Sequence, residues 1–381
     1  MDPGDTSIDE LLAAALRNET APWPVDEPAP DAIDRVAIVH GIAGLLIERA
    51  PLVAKWPPEL IARLREQARA QAMWEVRHRQ LLMGLLERLE AQSIPCLILK
   101  GTAVAYDLYG NPSSRARGDT DLLISVDDVA NTKSILAALG FTGETLGGVT
   151  DEFALQQTWT LALSDGGRHS IDLHWQVMNA PSLSRLFDFQ ECWAHSRPLH
   201  RLSPLARTMD LARLLIHTCL HRAMQNNSPY FVAGETYFEP GRLIWTYDIN
   251  LLAAALSAEE WSSLVSLAGE MGVARPCLGG LRAAEATLGT TLPDGQIREL
   301  EALALNAPGS RYFARSHPLS RAWQDVGAVP GILPKLRYAL SRIVTTEEFL
   351  RSKYPGLAHR PLPWLYGRRL LDAMRRRPDA S

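Results

Sequence analysis

Gly118-Asp119-Thr120-Asp121-Leu122-Leu123-Ile124 is the stretch on which the fold turns. Two aspartates two residues apart lead straight into an apolar run, and strand side chains alternate faces, so Asp119 and Asp121 project from one side of a strand expected over 120–126. Two carboxylates that close repel, and each tends to hold its proton unless a cation lies between them. Hard oxygen donors of this kind suit Mg²⁺, which keeps waters and completes its shell with substrate phosphates. The bland alternative for an Asp-x-Asp pair is a capped loop. Against it stand the strand that follows directly and a third carboxylate downstream, Asp172 in Ile171-Asp172-Leu173-His174-Trp175. Burying three unpaired carboxylates would cost several kcal/mol each. A metal site is the cheaper explanation.

Outward from this stretch the pattern is mixed α/β. Ile94 to Leu99 is short, apolar and bounded by a turn, as a buried strand is. Lys100-Gly101-Thr102 closes it, and a helix is expected over 103–109, ending at Gly110-Asn111-Pro112. Residues 127–140 give a helix with acids at its start and glycine at its end. Segments 157–164 and 169–177 flank Asp165-Gly166-Gly167, a hairpin signal. Helical periodicity precedes this unit over 33–50 and 57–91, the second with a stripe of Leu60, Leu64, Ala68, Met73, Val76, Leu81, Leu85 and Leu89 expected in the core. It follows again over 205–224, 241–256, 257–271 and 274–288, with a capping box at Ser257 and Glu260. The expected fold is therefore α/β (α+β): a small mixed-sheet domain with an N-terminal helical lead and a C-terminal helical domain. The expected divisions are 1–31, a flexible acidic, Pro-rich N-terminus with one short helix at 8–16; 32–203; and 204–381.

Composition narrows the class. With 381 residues, 46% of them hydrophobic and 22% charged, the chain has material for more than one compact core. A net charge of −4 does not suggest a nucleic-acid binder. Cys96, Cys192, Cys219 and Cys277 lie far apart without CxxC spacing, which argues against a zinc module or disulfide framework and fits a reducing cytoplasm. No apolar run approaches the roughly 18 residues that span a bilayer. A cytoplasmic, soluble protein is expected.

Lys100-Gly101-Thr102, Asp119-Thr120-Asp121 and Ile171-Asp172-Leu173-His174 together resemble the nucleotidyltransferase superfamily of DNA polymerase β. The leading Leu-Lys-Gly and trailing Ile-Asp-Leu-His are most similar to its bacterial branch of uncharacterised nucleotidyltransferases. The motifs span roughly 97–175, about a fifth of the chain. The resemblance implies transfer of a nucleoside monophosphate from an NTP donor, ATP foremost, using two Mg²⁺ ions held by Asp119, Asp121 and Asp172. It departs from the usual Gly-Ser at Gly101-Thr102, where the methyl group is new and the hydroxyl is kept. Relatives in this branch occur near natural-product pathways, so the acceptor it implies is a hydroxyl on a small molecule or peptide. Phosphoryl transfer or protein modification at the same site, and a non-catalytic or RNA-binding member of the fold, are the alternatives.

Roles follow from residue chemistry. Gly101 would let the backbone approach phosphate at a helix start, an anion-binding position, with Lys100 or Thr102 on the β- or γ-phosphate. Arg115 and Arg117 precede the aspartates, and a guanidinium grips phosphate oxygens bidentately; Arg115 matches the family's arginine. Asp172 would help deprotonate the acceptor, and His174 shares its face. His217 and His221 lie four apart but lack the glutamate of a zinc protease, so packing is the expectation for them. Asp248, on an apolar helix, needs a buried partner, and one of those histidines is the candidate. The basic 351–377 segment, with Tyr354, Trp364 and Tyr366, has the composition of an RNA- or anionic-membrane-contacting segment as well as of a solvated helix face; nucleic-acid contact is not favoured.

Overall fold

The structure, a computed structural model, describes residues 3–21, 23, 30–144, 153–225, 230–232, 235–237, 241–306, 312–313, 318–343, 347, 350–351, 354–357 and 359–375. The Pro-rich residues 24–29 expected to be loose, and the end of the basic tail, lie outside them. The elements run α1 (Pro3–Leu16), α2 (Pro30–His40), α3 (Ala43–Glu48), α4 (Pro58–Ala91), β1 (Cys96–Ile98), α5 (Lys100–Leu108), β2 (Asp119–Ile124), α6 (Val129–Ala138), β3 (Thr142–Gly143), β4 (Gln156–Ala162), β5 (Arg168–His174), α7 (Phe189–Ala194), β6 (Arg197–Pro198) and β7 (Arg207–Thr208). There follow α8 (Leu211–Gln225), β8 (Tyr230–Val232), β9 (Glu235–Tyr237), α9 (Leu243–Ala255), α10 (Ala258–Glu270), α11 (Ala274–Leu288), α12 (Asp294–Asn306), α13 (Pro318–Ala328), α14 (Ile332–Ile343) and α15 (Leu362–Arg375).

A mixed seven-stranded sheet has the order β3-β4-β5-β2-β1-β7-β6, and β8 and β9 form a separate hairpin. β4 pairs antiparallel with β5, placing Thr158 opposite Asp172, while β1 and β7 run parallel through Ile98 and Thr208. The expected α/β architecture, with helices before and after the sheet, is what the chain adopts. It divides into two compact units, Met1–Leu122 with Cys192–Ser310, and Leu123–Glu191 with Arg311–Ser381. The helical stretch expected over 204–381 thus contributes 204–310 to the first and 311–381 to the second.

In the first unit the core is aliphatic. Leu12, Ile33, Leu45, Leu46, Leu60, Leu64, Leu82, Leu97 and Ile98 are buried, and α8 is buried from Leu211 to Leu220 between α9, α10 and α11. Helix α1 packs on α11, and Arg17 donates to the Thr287 carbonyl at 2.9 Å. The capping box at Ser257 and Glu260 forms as expected, giving α10 a defined start. In the second unit Asp165 accepts from the Gly167 N–H at 3.0 Å and Gly166 takes φ 84°, closing the β4–β5 turn. Asp325 on α13 accepts from the Ser182 N–H and the Tyr312 hydroxyl.

Three local expectations are corrected. The helix expected over 33–50 is broken at Gly41, whose φ of 70° is left-handed and ends α2 before α3 begins. The helix expected from 205 begins at Leu211, because Arg207 and Thr208 are taken by β7. The stripe of α4 is displaced in its middle: Met73 and Val76 are each 60% exposed, while Glu75 and His78 are buried. Among the described residues no helix is long and apolar enough to cross a membrane.

Candidate active site

Strand β2 carries Asp119, exposed, and Asp121, buried, on one face and Thr120, buried, on the other. The Leu99 N–H donates to the Asp121 carbonyl at 3.0 Å, so the end of β1 and the start of α5 are tied to the aspartate strand. Helix α5 begins at Lys100 itself, three residues earlier than expected, which puts Lys100-Gly101-Thr102 in its first turn. Lys100 takes φ 45°, a left-handed conformation that costs a non-glycine residue roughly 1–3 kcal/mol. What that conformation secures is an ion pair: the Lys100 ammonium lies on Asp121 Oδ1.

Behind the carboxylates lies a buried polar layer. Thr120 Oγ1 is 2.8 Å from Thr102 Oγ1 and 2.7 Å from His78 Nε2, and the His78 ring stacks on Trp74. Glu75, one turn away on α4, pairs with the Arg117 guanidinium and accepts from the Tyr106 hydroxyl. Arg117 also lies over the Trp74 and Tyr106 rings, at 5.9 and 5.6 Å. Its pKa is held below the usual guanidinium value by burial and by Arg115, with Glu75 opposing. Tyr106 is driven up by burial and by the Glu75 carboxylate.

Arg115 is buried as well, and its partner is Asp248: Nη2 donates to Oδ2 at 2.6 Å, while Oδ1 accepts from the Tyr109 hydroxyl at 2.7 Å. Burial works to lower the Arg115 pKa, but the Asp248 charge and hydrogen bonds, Tyr109 and Asp119 raise it overall. The same guanidinium fills the space that a Cβ on Gly101 would occupy. The glycine is therefore required by Arg115. Asp248 finds an arginine and a tyrosine where a histidine was expected, since Arg115 reaches it across 133 residues of chain. His221 instead packs edge-on against Trp245, and its pKa is pushed down to about 3 by burial and the Lys100 charge, with Asp121 opposing.

In the second unit β5 presents Asp172 and His174 on one face, two residues apart. Thr158 Oγ1, directly across the hairpin, donates to Asp172 Oδ1 at 2.7 Å. His174 is buried, with Nδ1 3.3 Å from the Gln176 carbonyl. Asp172 and His174 thus put a carboxylate and an imidazole side by side on one strand face of the second unit, donors of the kind that divalent cations take.

Glu75 and His78 went unanticipated. The signal was present: positions 75, 78, 82, 85 and 89 recur at three- and four-residue spacing, the buried face of one helix. Two polar residues on that face mark a place where the core has polar partners.

Residues 26–289 match the family described as uncharacterised nucleotidyltransferase, and the chain belongs to it. Among solved structures, an antigenic nucleotidyltransferase-like protein from Paracoccidioides brasiliensis is similar at 16% identity and a TM-score of 0.34, over 58% of this chain and 95% of that one. No curated protein matches.

Proposed function

We propose that this chain is a divalent-metal-dependent nucleotidyltransferase that moves a nucleoside monophosphate from an NTP, with ATP as donor, to a hydroxyl of a small molecule or peptide. The observation that carries the reading is the aspartate strand β2, whose Asp121 carbonyl is hydrogen-bonded to the Leu99 N–H at the start of α5, in a chain of nucleotidyltransferase family. Asp119 extends the carboxylate set from the same strand face as Asp121. The bond formed joins the acceptor oxygen to the α-phosphorus; the bond broken is the α–β bridge, and pyrophosphate leaves. A divalent metal, Mg²⁺ foremost, supplies charge neutralisation at the phosphates when bound. Asp172 accepts the acceptor hydroxyl's proton. Lys100 and the first-turn N–H groups of α5 bind phosphate, with Thr102 at their side. Arg115 and Arg117 serve through position: each is buried against a carboxylate and shapes the ground beneath the phosphate turn.

The test is calorimetric titration of ATP, GTP, CTP and UTP, with Mg²⁺, with Mn²⁺ and without metal, into wild type and Asp121→Asn. Metal-dependent binding of one triphosphate, lost in the variant, is the expected result. Metal-independent binding, or full binding by Asp121→Asn, would sink the assignment. Positional labelling then separates the chemistries, because only nucleotidyl transfer moves the α-phosphate onto the acceptor.

A further inference from the structure

Helix α14, Ile332-Leu333-Pro334-Lys335-Leu336-Arg337-Tyr338-Ala339-Leu340-Ser341-Arg342-Ile343, packs with its polarity reversed. Ile332, Leu333, Leu336 and Leu340 are 81, 59, 57 and 58% exposed, while Tyr338 and Ser341 are buried. Tyr338 anchors the helix, edge-on to Phe153 at 5.5 Å. At about 100° per residue the four aliphatics fill one outward arc of roughly 100°. Arg337 borders one edge of that arc and Lys335 and Arg342 the other, and the helix contains no acidic residue. Trp323, on the preceding helix α13, is 75% exposed. From Ile332 to Arg375 the chain carries nine lysines and arginines against three acids, in a protein of net charge −4.

We propose that α14 is a docking helix for an anionic lipid surface, seated with its aliphatic arc among the acyl chains and Lys335, Arg337 and Arg342 at the phosphates. Charge complementarity selects this occupant. An aliphatic arc flanked on both sides by cations is the pattern of an interfacial helix. A second copy related by a two-fold axis would set the same basic flanks against each other. Nucleic acid would leave the aliphatics uncovered, since α14 exposes no aromatic ring on which a base could stack. The proposal is independent of the nucleotidyltransferase reading.

The experiment is sedimentation of the full chain with vesicles of phosphatidylcholine alone and of phosphatidylcholine with phosphatidylglycerol, at low and high salt. Wild type is expected to bind the anionic vesicles, with partitioning at least tenfold weaker on neutral ones and weakened by salt. Leu336→Ser with Leu340→Ser should lose that binding while circular dichroism and the unfolding midpoint stay as in wild type. Arg337→Glu should lose most of it. Absence of binding to anionic vesicles overturns the proposal, as does equal binding by the double serine variant. Light scattering supplies the other overturning result: a concentration-dependent dimer abolished by the same substitutions would make the arc a self-interface.

Discussion

The middle of α4 and the length of α14 both break the usual rule, and they break it in opposite senses. In α4 two polar residues, Glu75 and His78, are turned inward while Met73 and Val76 face out. In α14 four aliphatics are turned outward while a tyrosine and a serine are covered. Scattered exposed apolar residues are ordinary, but a buried charge or a contiguous apolar arc needs a cause. For α4 the cause is internal. Glu75 meets Arg117 and Tyr106, His78 meets Thr120, and that layer underlies the strand bearing Asp119 and Asp121. For α14 no described partner accounts for the arc, whose four aliphatics are each more than half exposed, and the proposed cause is a lipid surface.

If this contrast is sound, the largest effect comes from removing the charge that α4 buries. Glu75→Ala leaves Arg117 in the interior without its carboxylate and Tyr106 without its acceptor, and should cost about 3–5 kcal/mol in urea unfolding. Met73→Ser, two residues away but exposed, should fall within about 0.5 kcal/mol. Equal costs at the two positions would mean that the buried face of α4 has been misassigned.

Next comes the turn above that layer. Gly101→Ala drives a methyl into the Arg115 guanidinium, which the Asp248 pair holds in place. Overpacking of this kind costs roughly 1–3 kcal/mol. Gly101→Ala should therefore lower both the unfolding midpoint and metal-dependent nucleotide binding, since the displaced turn includes Lys100. A substitution at Gly279, where an added Cβ meets open space, is the control and should do neither.

How far these features could be read from sequence depends on the range of the interactions involved. The Asp119/Asp121 pair, the turn at Asp165–Gly167 and the capping box at Ser257 are fixed by neighbours within a few residues, and each was legible. The Arg115–Asp248 pair joins positions 133 apart, so sequence offers Asp248 a histidine and gives no sign of the arginine it meets. The two-residue strand β7 exists only because β1 lies alongside it, and no local periodicity marks it. In α4 the spacing is visible, but apolar character alone selects the wrong residues in its middle, where Glu75 and His78 face inward. Periodicity located the helix; only the polar partners locate its buried face.

A comparable effect is expected from acid. His221 has a pKa near 3 in the folded chain against 6.5 ordinarily, with burial the main cause and the Lys100 charge the next. Between those values the unfolded chain takes up a proton that the folded chain refuses. The contribution is therefore present above pH 6.5 and is lost as pH falls toward 3, with a slope approaching about 1.4 kcal/mol per pH unit. His221→Gln has no such proton to bind. In chelator-treated protein, the difference in urea midpoint between wild type and His221→Gln should shift against wild type from pH 7 to pH 4, since carboxylate titration common to both cancels. A difference that stays constant over that range would show that His221 is not held neutral.

The smallest effect is the one that most sharpens the contrast. Leu336→Ser on α14 removes an aliphatic side chain that is more than half exposed, and should change the unfolding free energy by less than about 0.5 kcal/mol. The same substitution at Leu82 on α4, which is fully buried, opens a cavity and strands a hydroxyl, and should cost about 2–5 kcal/mol. Equilibrium unfolding of the two variants under one set of conditions measures both. If Leu336→Ser proves as costly as Leu82→Ser, the α14 arc is covered by the chain's own residues, its aliphatics belong to a core, and the lipid-docking role has no surface to act through. If the cost stays near zero, those four aliphatics do nothing for the fold, and their presence on the surface calls for a partner.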